Sequence, residues 1–153
     1  MNITDYLTPE LVLAELEARD KEAALAQLAA GVSGVFPQFS CARVLTVLRE
    51  REALGSTGIG GGIAIPHGKM AEIDNIIVLF ARSRTGVDFA AVDSRPVHLF
   101  FLLLAPENSA GIHLKTLAQI SRMLKNPDFR TALREAADRE ALFALIREED
   151  ERG

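Results

Sequence analysis

Three almost uninterrupted apolar runs, Ile63-Ala64-Ile65, Ile76 to Ala81 and Val97 to Leu104, occupy the middle of the chain. They are rich in β-formers and lack the polar alternation of a half-exposed strand. A strand that is apolar on successive positions has both faces covered. Sheets of that kind need helices on either side, and the flanking segments supply them. Asp20 is placed to cap a helix carrying Ala24, Leu25, Leu28 and Ala29, loosened by Gly31 and Gly34. Ser40 caps a second helix with Cys41, Val44, Leu45 and Leu48 inward, and Gly55 ends it. After Pro106, Leu114, Leu117, Ile120 and Leu124 form an apolar stripe. Asn126-Pro127 opens a helix with Phe129, Ala132, Leu133 and Ala136. Asp138 caps a last one holding Leu142, Leu145 and Ile146. Leu11 to Leu16 reads equally as strand or helix. Thr85-Gly86 and Asp93 to Pro96 carry turn chemistry. The expected fold is α/β, a single mixed β-sheet flanked by helices on both faces.

A length of 153 residues suits one domain, spanning 1–153. A net charge of −4, with no basic cluster, argues against nucleic acid as a partner. The longest apolar run is too short to span a bilayer, so no membrane insertion is expected. The first residues, Met1 to Asp5, lack a signal-peptide pattern. Cys41 is the one cysteine, which excludes an internal disulfide. The expected location is the cytoplasm. No histidine–carboxylate spacing suggests a metal, and no cofactor is implied.

One segment combines backbone freedom with a reactive side chain: Gly55-Ser56-Thr57-Gly58-Ile59-Gly60-Gly61-Gly62-Ile63-Ala64-Ile65-Pro66-His67-Gly68-Lys69. Glycines let a backbone approach an anion with several N–H groups pointing one way. Imidazole is a nucleophile that works near neutral pH. Two common phosphate loops do not fit. A Walker loop ends in Gly-Lys-Ser/Thr, whereas this one has Gly68-Lys69-Met70. A dinucleotide loop needs a third glycine where Ile63 stands, and it follows a strand rather than a helix. Ile63-Ala64-Ile65-Pro66-His67 is expected to place His67 at the end of a buried strand, with Pro66 stiffening the approach. Residue types alone leave open a functional or a structural histidine.

The run from Leu54 to Gly68, ending in Pro66-His67-Gly68, resembles the signature of fructose/mannitol-type IIA proteins of the bacterial phosphotransferase system, most of all the nitrogen-regulatory members called IIA-Ntr. The resemblance extends from Leu7 to the last helix. It implies that His67 accepts a phosphoryl group on Nε2 from an HPr-like phosphocarrier protein. In transporter members that group passes on to a IIB domain. Arg51, sixteen residues before His67, matches the arginine that such proteins place beside the phosphohistidine. A planar guanidinium can hold two phosphoryl oxygens. Without the resemblance, Arg49-Glu50-Arg51-Glu52 reads as a solvated helix end. His113 matches a second histidine near the site. Helical spacing puts it inward, one turn before Leu117, where a positive helix N-terminus favours a neutral ring. The other reading of His113 is a satisfied core histidine.

Ser56, Thr57 and Gly58 are candidate phosphate-binding residues, the two hydroxyls serving as donors or simply shaping the turn. Lys69 reads as an exposed lysine, His98 as structural, Cys41 as a small core residue, and Glu107 stays undecided. The expected function is a phosphoryl carrier, an enzyme component whose phosphorylation state regulates target proteins. One alternative is a IIA component of sugar uptake that serves a IIB partner. Another is a binding module that has kept the fold without the chemistry.

Overall fold

The computed structural model describes residues 2–152. Two short 3-10 turns, Ile3–Asp5 and Pro9–Leu11, lead into β1 (Val12–Leu13), α1 (Lys21–Val35) and α2 (Cys41–Ala53). The strands β2 (Gly58–Gly60), β3 (Ile63–Ala64), β4 (His67–Met70), β5 (Ile77–Val87) and β6 (Val97–Pro106) follow. They are succeeded by α3 (Ala110–Leu124), α4 (Pro127–Glu135) and α5 (Arg139–Glu151). The expected side-chain caps are made: Asp20, Ser40, Asn126 and Asp138 accept from backbone amides of the first helical turns of α1, α2, α4 and α5. Each such cap stabilises its helix by about 1 kcal/mol.

The six strands form one mixed sheet in the order β1-β5-β6-β3-β2, with β4 also on β6. β5 and β6 are antiparallel, Phe80 opposite Phe101. On its other edge β6 takes β3 and then β4, both parallel, at Ile63–Leu99 and His67–Leu103. Pro66 has no amide hydrogen, so the chain leaves the ladder between them. Its carbonyl still accepts from the Leu103 amide at 2.9 Å.

Side chains alternate along β6 between two cores. Phe100, Leu102 and Leu104 pack with Leu25, Leu28, Val44 and Leu48 of α1 and α2. Phe101, Leu103 and Ala105 pack with Ile120, Leu133, Leu142 and Ile146 of α3 to α5. That double coverage explains why the β6 sequence shows no period. Each fully buried Leu or Phe contributes roughly 1.5–3 kcal/mol. The same burial carries α1 straight through Gly31 and Gly34 to Val35, since Leu25, Leu28, Ala29 and Val32 are all covered.

Three local expectations need correction. Leu11 to Leu16 is neither one strand nor a helix: a 3-10 turn ends at Leu11, Val12–Leu13 pair with β5, and the Leu16 amide then donates to the Arg82 carbonyl. Thr85-Gly86 is not a turn. It lies inside β5, where the register with β6 shifts between Arg82 and Val87. Gly86 has φ +91°, and a Cβ there would stand 2.9 Å from the Pro96 side chain, so turn chemistry here serves a bulge. Leu114 is exposed, because α3 turns His113, Thr116, Ile120, Met123 and Leu124 inward instead.

A charged residue also lies in the core. Arg82 is fully buried in β5. It donates to the carbonyls of Ala14 (3.0 Å), Leu133 (2.9 Å) and Ala136 (2.8 Å). It thereby satisfies carbonyls at the C-terminal end of α4 that no helical amide reaches. Burial, and then the charge of Arg84, pull its pKa below that of a free arginine.

Candidate active site

α2, β4 and the start of α3 converge on one cleft. Arg43, Val47, Arg51 and Leu54 form one wall, His67, Gly68 and Lys69 the floor, and Glu107 with His113 the other wall. His67 is the first residue of β4, reached after the break at Pro66, rather than the end of the strand before it. Gly68 follows because Val47 leaves no room: a Cβ there would stand 2.4 Å from the Val47 side chain. α2 can therefore lie directly against β4 and bring Arg51 to the histidine.

The His67 ring is held from both sides. Nδ1 lies 2.8 Å from the Ile65 carbonyl oxygen. A carbonyl only accepts, so Nδ1 carries the proton and Nε2 keeps its lone pair. Arg51 Nε donates to that Nε2 at 3.2 Å, and Arg51 Nη1 donates to the Gly55 carbonyl at 2.9 Å. The available nitrogen therefore faces the cleft beneath a guanidinium.

His113 stands edge-on to His67, ring centroids 5.6 Å apart at 78°. It is buried, and its Nδ1 has no hydrogen-bond partner among the described residues. Burial foremost, then His67 and Lys69, lower its pKa from the ordinary histidine value. The ring is therefore neutral at pH 7. An orphaned buried N–H is rarer than an orphaned acceptor, which favours the tautomer with a bare Nδ1 and the proton on Nε2.

Arg51, His67 and His113 are thus brought together, and Ser56, Thr57 and Gly58 are not. Thr57 is buried, and its amide and hydroxyl both donate to the Glu52 carboxylate. The Ser56 hydroxyl accepts from the Gly58 amide at 3.0 Å, shaping the turn. Gly58 backs onto Ala91, where an added Cβ would meet Ala91 Cβ at 2.7 Å. The glycine-rich segment therefore does not form the phosphate cradle its composition suggests. Its amides are spent elsewhere: that of Thr57 on Glu52, that of Gly58 on Ser56 and that of Gly61 on the Asp93 carboxylate at 3.0 Å.

Lys69 and Glu107 line the cleft. His98 lies away from it, bonded through Nδ1 to the Ser83 carbonyl at 2.8 Å. Cys41 is half-buried against the α1–α2 core. Sequence reasoning missed Glu52. Nothing in the charged stretch Arg49 to Glu52 marks one residue as buried.

The description "Phosphoenolpyruvate-dependent sugar phosphotransferase system, EIIA 2" belongs to the family whose model matches residues 5–149. The chain is 43% identical over 146 residues to a nitrogen regulatory protein of Bradyrhizobium diazoefficiens, covering 95% of each chain. It is 36% identical over 154 residues to the fructose-specific EIIA component of Haloferax volcanii, covering 97% of this chain and 98% of that one. In three dimensions it is similar to the nitrogen regulatory protein IIA-Ntr of Neisseria meningitidis, with a TM-score of 0.87 and 32% identity over 94% of this chain and 98% of the other. A match running from the first 3-10 turn into the last helix, over a sheet and helices arranged as in IIA-Ntr, makes the chain a member of the EIIA 2 family and a phosphocarrier component of a phosphotransferase system.

Proposed function

We propose that His67 is the phosphoryl acceptor and that the protein acts in the cytoplasm as a regulatory phosphocarrier. Nε2 of His67 attacks the phosphorus of a phosphorylated HPr-like carrier. The N–P bond forms as the donor's bond to phosphorus breaks, and that electron pair stays with the donor. Arg51 swings from Nε2 onto the equatorial oxygens, where its fork suits the spread charge. His113 donates its one N–H to a phosphoryl oxygen. The reading is carried above all by the His67 tautomer: Nδ1–H is spent on Ile65, and Nε2 is left as a nucleophile under Arg51.

Regulation is favoured over transport by the stronger similarity to nitrogen regulatory proteins. In this reading the unphosphorylated and phosphorylated forms differ in their affinity for target proteins. Sugar uptake through a IIB partner is the second reading, favoured by the fructose-specific relative. Exposure to a phosphorylated HPr-like carrier, followed by intact-mass measurement, tests the acceptor. Wild type gains one acid-labile, base-stable phosphoryl group, and His67→Ala gains none while keeping its fold. Label on Ser56, Thr57 or His113 in the wild type would overturn the assignment. A phosphoryl that passes quickly to a sugar-specific IIB domain would favour the second reading. No phosphorylation at all would leave a binding module without the chemistry.

A further inference from the structure

Glu52 occupies a place that electrostatics disfavours. It lies in the last turn of α2, where the helix dipole is negative. It is only 8% exposed, so its carboxylate has largely left water. Its oxygens accept from the Thr57 amide at 3.0 and 3.1 Å and from the Thr57 hydroxyl, and they pair with Lys21 Nζ at 2.7 Å. Burial acts to raise its pKa, but Lys21 and Thr57 together hold it below the usual carboxylate value. A buried pair of this sort is a poor route to stability alone, since apolar residues of similar size often do as well.

The hydrogen bonds lead from Glu52 to the reacting ring. Thr57, fixed by Glu52, accepts through its carbonyl from the Ile65 amide at 3.0 Å. The Ile65 carbonyl then accepts from His67 Nδ1 at 2.8 Å. Between Glu52 and Thr57, the Gly55 amide donates to the Glu52 carbonyl at 3.1 Å. The Gly55 carbonyl accepts from Arg51 Nη1 at 2.9 Å. One short loop, tied down at Thr57, thus presents the carbonyl that orients the arginine and seats the strand segment that orients the histidine. Arg51 and Glu52 are successive residues of one helix, turned about 100° apart, so one enters the cleft while the other grips the loop from behind.

We propose that Glu52 is a positioning residue for phosphoryl transfer, holding through Thr57 both the guanidinium of Arg51 and the Nδ1–H tautomer of His67. This rests on the reading of His67 as acceptor. Glu52 touches neither the phosphoryl group nor the ring; its effect is geometric.

Single-turnover transfer from a phosphorylated HPr-like carrier, measured across carrier concentrations, tests the proposal alongside ¹⁵N spectra of the His67 ring. Glu52→Gln should lower the maximal rate about ten- to a hundredfold, the scale of a small misplacement of reacting groups, without raising the half-saturating carrier concentration. The ring should change from one Nδ1–H tautomer to a mixture. If Glu52→Gln does not fold, Thr57→Val takes its place, and Thr57→Ser should restore what Thr57→Val loses. Wild-type rate with an intact Nδ1–H tautomer in a folded variant would overturn the proposal. So would a loss appearing only in the half-saturating concentration. If the wild-type protein takes up no phosphoryl group, the acceptor reading fails instead, and the ring spectra alone then decide whether Glu52 holds the tautomer.

Discussion

Arg51 donates to the one nitrogen of His67 that is free to react, at 3.2 Å. With His67 as the proposed acceptor, the guanidinium stands where the phosphoryl group would arrive, and it would have to move as the N–P bond forms. Arg51→Ala should consequently slow transfer far more than it destabilises the fold. Losing one electrostatic contact to a transition state costs about 2–4 kcal/mol of barrier. Arg51→Lys should recover only part of this, because an ammonium lacks the two-donor fork. Rapid-quench transfer rates decide the matter, and an unchanged rate in Arg51→Ala would make Arg51 a surface charge.

His113 gives the fold a pH dependence of predictable sign. Its pKa is lowered in the folded protein, by burial first, from the ordinary histidine value. As pH falls through that value the unfolded chain takes up a proton before the folded one does, so stability decreases. Above it the ring is neutral in both states and the contribution is complete. Urea unfolding between pH 5 and pH 8 (about the window in which histidine titrates) should show wild type losing more stability on acidification than His113→Gln. Parallel curves would mean that His113 carries no such linkage.

Arg82 should matter to the fold and not to the chemistry. Arg82→Met keeps most of the volume but strands the carbonyls of Ala14 and Leu133, while Ala136 keeps the bond from Arg84. Each buried group left unpaired costs roughly 1–3 kcal/mol, so a loss of about 2 kcal/mol or more is expected. Chemical denaturation measures it. Transfer by the fraction still folded should stay within about twofold of wild type, as for independent sites.

Phosphorylation should act on partners without refolding the protein. A phosphoryl group adds about −1.5 to −2 charges, by analogy with other phosphorylated side chains. On the proposed reading it arrives in the cleft lined by Leu54, which is 85% exposed. A partner that covers that leucine would have to desolvate the new anion. At least one target should therefore prefer the unphosphorylated form, and His67→Asp or His67→Glu should weaken that complex. Calorimetric titration of each target with both forms is the check; equal affinities throughout would point to transport.

The layered fold was legible because its signals are local and redundant. Asp20, Ser40, Asn126 and Asp138 are good caps whatever surrounds them, and the unbroken apolar run of β6 demands cover on both faces. Residues whose role depends on distant neighbours were less legible. Gly86 follows Thr85 as in a turn, yet Pro96 across the sheet makes it a bulge. Leu114 looks like part of the α3 stripe, but the buried face is set by where His113 and Thr116 must go. At the site, Arg51 and His113 came from resemblance, since their spacing to His67 carries no physical signature. Thr57 reads as a free hydroxyl donor in the sequence, yet its hydroxyl has a partner in Glu52, and no pattern in Arg49 to Glu52 reveals that.

Arg51 belongs to α2, which packs in one core, and His113 to α3, which packs in the other. β4 lies between them, with the preceding Ile65 in the second core and its own Met70 in the first. The candidate site is thus a seam between two separately packed layers, and its geometry reports their mutual alignment. Small slippage of one helical layer over the sheet would detune the distance between arginine and histidine before any element unfolded. Substitutions on the buried faces of α2 and α3, the two helices that carry Arg51 and His113, are then expected to converge on one phenotype: a native-looking protein that hands on its phosphoryl group slowly.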